Sequence, residues 1–185
     1  MALELIGVCL VLLVLGVLAF VALTFNSLVT LRNRVDNAWA QIDVQLKRRY
    51  DLIPNLVESV KGYMKHEKET LENITKYRAM LVSGTPGEKA KANNMITDAL
   101  KTIFATSENY PKLVANENFK MLQDELAGTE DKISFVRTAY NDNVLAFNNA
   151  LQVFPNNMIA GMLNFSVKPY FEAPETEKEA VKVKF

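Results

Sequence analysis

"LKRRYDLIPNLVES", residues 46–59, decides the fold. Leu46, Ile53 and Leu56, with Val60 just beyond, recur at steps of three, four and seven, which is the spacing of one face of an α-helix. Pro54 interrupts that reading in one respect. Inside a helix a proline removes one backbone donor and crowds the carbonyl four residues earlier, at about 3 kcal/mol unless the helix bends or restarts. The stretch therefore predicts a helix kinked between Tyr50 and Asn55, with Asp51 positioned to cap a restart.

The stripe extends both ways. Upstream it takes in Leu28, Leu31, Val35, Trp39 and Ile42, and downstream Met64, Leu71, Ile74 and Leu81, so one helix is predicted over 26–81. "VSGTPGE" ends it, because Gly84, Pro86 and Gly87 favour a turn. A second helix is predicted over 88–107, carrying Ile96, Leu100 and Ile103. "ENYPKLVANENF" is a connector in which Asn116 and Asn118 can cap the next helix. That third helix, 116–154, places Phe119, Leu126, Ile133, Tyr140, Phe147 and Phe154 seven apart, a seam that wants a partner of similar length. A short helix over 156–164 follows, and 166–185, with Pro169, Pro174 and a charged end, reads as a largely disordered tail. Strand-like alternation is scarce. The expectation is an all-α fold, a long antiparallel helical bundle over 26–165.

Ahead of the bundle, after a short flank of residues 1–4, residues 5–25 hold no charge and no proline. At about 1.5 Å per residue such a run spans a hydrocarbon core of roughly 30 Å, so it is read as a transmembrane helix that contacts lipid. A cleaved signal peptide needs a basic leader, whereas Glu4 is the only charged side chain ahead of the run. Arg32, Arg34, Lys47, Arg48 and Arg49 follow it, which under the positive-inside tendency predicts a single-pass protein with its body in the cytoplasm.

Lys and Arg number 21 and Asp and Glu also 21, interleaved, so no basic face points to nucleic acid. His66 is the one histidine, and the position four residues on is Thr70, so a zincin motif is absent. A ferritin-like di-iron site needs two Glu-x-x-His elements, which one histidine cannot supply. His66 is expected to be an exposed helix residue. Cys9 lies in the apolar run, no G-x-S-x-G elbow occurs, and "SGTPGEKAK" lacks the phosphate-loop spacing. No residue is assigned to catalysis, to a cofactor or to a metal, and the chain is read as not an enzyme.

"LRNRVDNAWAQIDVQLKRRYDLIPNLVESVKGY" with a following "HE", then "YPKLVANENFKMLQDELAGTEDKISFVRTAYNDNV" and a final "YFEA", resemble the LemA family of bacterial membrane proteins. The resemblance covers nearly the whole chain. It implies one N-terminal membrane helix and a soluble bundle of long antiparallel helices, and it implies no established activity.

The residues singled out are structural or partner-surface candidates. Arg49 falls on the apolar stripe, where an unpaired guanidinium is very costly, so it either snorkels to water or pairs with Glu130 or Asp131 on the third long helix. Trp39 is expected in the core. Arg48, Asp51, Pro54, Asn55 and Arg137 are candidates for a partner surface. Asn141 and Asn148 repeat at seven and either hydrogen-bond across helices to set the register or lie on a solvated face. The leading functional reading is a membrane-anchored, non-enzymatic scaffold or adaptor for an unidentified protein partner, with self-association left open. The alternative is an envelope protein with a carboxylate metal site or a hydrolase-associated activity.

Overall fold

The computed structural model describes residues 1–64 and 67–172. His66 and residues 173–185 lie outside the described residues, and with them the expectations for that histidine and for most of the tail. Among the described residues six helices occur: α1 (Ala2–Lys61), α2 (Lys68–Ser83), α3 (Pro86–Ser107), α4 (Pro111–Val114), α5 (Glu117–Gln152) and α6 (Asn156–Met162). Among the described residues there is no strand. The fold is an all-α helical bundle.

The chain forms two compact units. Among the described residues, one contains those of 39–141 together with 169–172. Here α1 and α5 run antiparallel, since Trp39 meets Tyr140 while Arg49 meets Glu130. Asp43 pairs with Lys89 and Arg49 with Asn93 and Thr97, so α3 runs in the same direction as α1. With α2 reversing between them, the topology is up-down-up-down, as short turns require. Ile42, Leu46, Ile53 and Leu56 of α1, Ile74 and Leu81 of α2, Ile96 and Ile103 of α3, and Phe119, Leu126 and Ile133 of α5 are buried. Each such side chain contributes about 1.5–3 kcal/mol by leaving water.

The other unit contains residues 1–38 and 142–168. Leu28 and Val35 of α1, Val144 and Phe147 of α5, and Ile159 of α6 form its core. Between Leu5 and Phe25 the large apolar side chains of α1 are exposed, and the helix is long and apolar enough to cross a membrane by length and composition.

Three expectations need correction. The helix predicted over 26–81 is two helices, because the chain turns at Gly62 and Tyr63, with both Tyr63 and Met64 bonding back to the Val60 carbonyl at 2.9 Å. Met64 and Leu71 are buried on either side of the turn, so the apolar spacing carries on while the chain reverses. Asp51 caps no restart. α1 is helical through Pro54, and Asp51 pairs with Lys47 one turn back at 2.5 Å. Finally, residues 166–172 are held against helices rather than loose, and Phe171 is fully buried.

Local chemistry sets the other boundaries. Thr85 and Glu88 form a reciprocal capping box at the start of α3, with Pro86 in the first turn. Asn116 accepts from the Phe119 amide at 3.2 Å and caps α5, as its position predicts.

Candidate functional site

The polar centre of the larger unit is Arg49, whose side chain is 1 % exposed. The apolar stripe of α1 carries it inward, and three helices supply its partners. Glu130 of α5 forms the ion pair, and Asn93 of α3 accepts a hydrogen bond from Nη1. The Thr97 hydroxyl also accepts from Nη1, at 3.0 Å, and lies 3.0 Å from the Glu130 carboxylate. Burial lowers the guanidinium from its ordinary value to about 10, which leaves it charged at neutral pH. Arg49 Nε has no hydrogen-bond partner, so the cluster is not fully satisfied. Of the two carboxylates expected to meet Arg49, Glu130 does so and Asp131 is exposed.

One turn further along α1 lies an arrangement that sequence reasoning missed. Pro54 has no N–H, so the carbonyl of Tyr50 loses its helical donor. Arg78 of α2 replaces it: its Nε donates to the Tyr50 carbonyl at 2.8 Å, and its guanidinium lies 3.7 Å from the centroid of the Tyr50 ring. A proline inside a helix was the available signal, because the orphaned acceptor has to find a donor elsewhere.

The remaining candidates on α1 lie on its outer side. Arg48 is exposed and pairs with Glu125 of α5. Pro54 and Asn55 are exposed, and Asn55 borders a shallow groove of about 430 Å³ with Glu58, Asn118 and Met121. Trp39 is half-buried, not fully enclosed, with Tyr140 edge-on at 5.3 Å and Phe171 at 6.2 Å. Arg137 is half-buried and its Nη2 lies 3.5 Å from the Ser134 hydroxyl.

Asn141 and Asn148 neither bridge two helices nor face water. Asn141 donates to the carbonyl of Phe171 at 3.0 Å and accepts from its amide at 2.9 Å. In the other unit Asn148 treats Lys168 the same way, with both bonds at 2.9 Å. Each carboxamide thus presents to a non-helical backbone the donor and acceptor that one residue's N–H and C=O need. The Tyr140 hydroxyl adds a bond to the Pro169 carbonyl at 2.8 Å.

An open groove of about 640 Å³ lies between the end of α1 and the start of α2. Val57, Met64 and Leu71 make it apolar, while Lys61, Lys68 and Lys76 outnumber Glu72 among its charged lining groups. Lys68 is engaged with Glu72 at 3.6 Å. Among the described residues no three His, Cys, Asp or Glu side chains are grouped to hold a metal ion.

A model of the LemA family matches residues 38–185. Protein LemA of Metamycoplasma hominis is 30% identical over 158 residues, covering 83% of this chain and 71% of that protein. Magnetosome protein MamQ 2 of Paramagnetospirillum magneticum is 25% identical over 189 residues, covering 86% of this chain and 70% of its own, and Magnetosome protein MamQ 1 of the same organism matches equally. None of these names is that of an enzyme.

Proposed function

We propose a function from one premise, that this chain belongs to the LemA family: it is a membrane-anchored, non-enzymatic helical adaptor that recruits a protein partner. Membrane association itself rests on the apolar run of α1 and on the LemA relatives. We place the body in the cytoplasm of a bacterial cell, with residues 5–25 in the inner membrane. Arg32, Arg34, Lys47 and Arg48 support that orientation, because they follow the apolar run on α1.

The observation that carries the adaptor reading is the groove at the α1–α2 junction. An apolar floor under a lysine-rich rim suits a segment that offers one apolar helix face flanked by acidic residues. A photo-crosslinking side chain in place of Val57, in intact cells, is expected to capture a discrete partner. Charge reversal by Lys61→Glu with Lys76→Glu should abolish that product. An unchanged crosslink after charge reversal, or no product at all, overturns the reading. Protease access to spheroplasts tests the orientation separately, and digestion of the body from outside contradicts it.

A further inference from the structure

Between Asp142 and Lys168 the chain carries no charged side chain, although 23% of all residues are Asp, Glu, Lys or Arg. This stretch comprises the end of α5, α6 and the segment that follows, and it shares a compact unit with residues 1–38. Its inward residues are accounted for: Val144, Phe147, Leu151, Ile159 and Ala160 are buried. Its outward ones are not. At the α5–α6 corner Phe154 is 74% exposed, Met158 62% and Met162 82%, with Val153 and Leu163 also exposed beside them. Met158 and Met162 are four apart on α6 and share the face opposite the buried Ile159 and Ala160. A contiguous apolar patch of this kind on a small unit marks a contact surface.

What covers it follows from where it is attached. The ring of Phe165 lies 6.2 Å from that of Phe25, the last residue of the apolar run, and 6.4 Å from that of Phe147. On the same last turn Thr24 is 7% exposed while Leu23 is 70% exposed, so the 142–168 segment covers one side of the helix where the run ends. A run of about 20 apolar residues occupies the full hydrocarbon thickness, which puts its end at the boundary between acyl chains and headgroups. The corner is held at that boundary. Arg32, whose guanidinium sits 5.7 Å from the Phe165 ring centroid, and exposed Arg34 follow on α1 and supply cations on the headgroup side.

We infer that the α5–α6 corner is a second membrane contact, an uncharged apolar foot that rests in the interfacial layer of the same bilayer that holds residues 5–25. Phe154, Met158 and Met162 enter the acyl boundary, at the shallow depth of an interfacial helix, while Arg32 and Arg34 stay among the phosphates. The inference rests on the membrane-anchor reading and holds for either orientation of the body.

The test uses the full chain with Cys9→Ser, reconstituted in phosphatidylcholine–phosphatidylglycerol vesicles. Single substitutions Met158→Cys, Met162→Cys, Leu13→Cys and Asn37→Cys each carry a bimane label. Brominated lipids quench it from shallow or deep positions. Asn37 is exposed on α1 about 18 Å beyond Phe25 along the helix, which makes it the water-side control. Leu13 is expected to be quenched best by deep bromines. The two α6 positions should be quenched by shallow bromines at least threefold more than Asn37. If Leu13 is quenched and the α6 positions match Asn37, the foot is wrong and the anchor stands. If Leu13 is unquenched, the anchor fails and the foot with it. Unquenched α6 labels that instead crosslink to a second copy through Met158→Cys identify a protein contact and overturn the inference.

Discussion

Arg78 Nε donates to the backbone carbonyl of Tyr50, the acceptor that Pro54 deprives of its helical donor four residues on. A side chain from α2 thus completes the hydrogen bonding of α1, and the same guanidinium lies over the Tyr50 ring. The proline and the arginine form one unit, and their effects on stability should be coupled. Arg78→Ala is expected to destabilise by about 1–3 kcal/mol, the cost of leaving a part-buried acceptor without its charged donor. With Pro54→Ala in place, the backbone N–H returns to Tyr50 and the same arginine change should cost less. Urea denaturation of the four members of this cycle measures the difference; strict additivity would separate the two residues.

Breaking the Arg49–Glu130 pair should be costlier than any surface change nearby. Arg49 is buried, and a quarter of the Glu130 side chain is exposed, so Glu130→Ala is expected to cost about 3 kcal/mol, at the low end for a buried pair. Arg49→Met combined with Glu130→Leu should recover most of that loss, because no lone charge stays buried. Arg48→Ala removes an ion pair whose side chains are 43% and 49% exposed, and its effect should stay within about 1 kcal/mol. Thermal melts of the three variants decide it, and equal losses from Glu130→Ala and Arg48→Ala would contradict the geometry.

Asn141→Ala should release Phe171 from its two-bond clamp. A loss of about 1–3 kcal/mol is expected, since two backbone groups lose their partner. Hydrogen exchange at the Phe171 amide should accelerate at least tenfold while amides in the middle of α3 keep their protection. Unchanged exchange at Phe171 would mean that packing of its ring alone holds the segment.

Glu88 is the group whose titration leaves a readable trace. The Thr85 backbone N–H, then its hydroxyl, hydrogen-bond the carboxylate and hold it below the usual glutamate value. A carboxyl with a depressed native value stabilises fully above its unfolded value, and that contribution disappears as the pH falls through the native one. Carboxyl carbon shifts should therefore give Glu88 a midpoint below that of the same residue in urea-unfolded chain. Glu88→Gln should flatten the acid limb of the stability curve. A native midpoint at or above the unfolded one would remove the cap from the account.

Helix-period spacing was enough to reveal the bundle, because every long helix buries one continuous stripe. Arg49 was legible in part for the same reason: a cation in phase with Ile42 and Leu56 has either to reach water or to meet a carboxylate, and Glu130 and Asp131 border the facing stripe. Its other partners were not. Asn93 and Thr97 are polar residues in phase with Ile96 and Leu100, and a polar residue in a stripe does not say which helix it faces. The turn at Gly62 was hidden because Met64 and Leu71 keep the apolar rhythm while the chain reverses. Residues 166–172 carry no period, since a non-helical segment held by side-chain amides leaves no stripe. The spacing of Asn141 and Asn148 left a cross-helix bond and a solvated face equally open, and the partner each meets is backbone, which looks alike at every position.

The two carboxamides that grip Lys168 and Phe171 have a practical consequence for anyone shortening or tagging this polypeptide. Cutting back past Lys168 would strip both asparagines of their ligands at once and leave α5 with amide groups facing a vacated apolar trough. Recombinant versions should therefore run at least through Glu172, and a fusion partner appended there inherits a fixed point of departure.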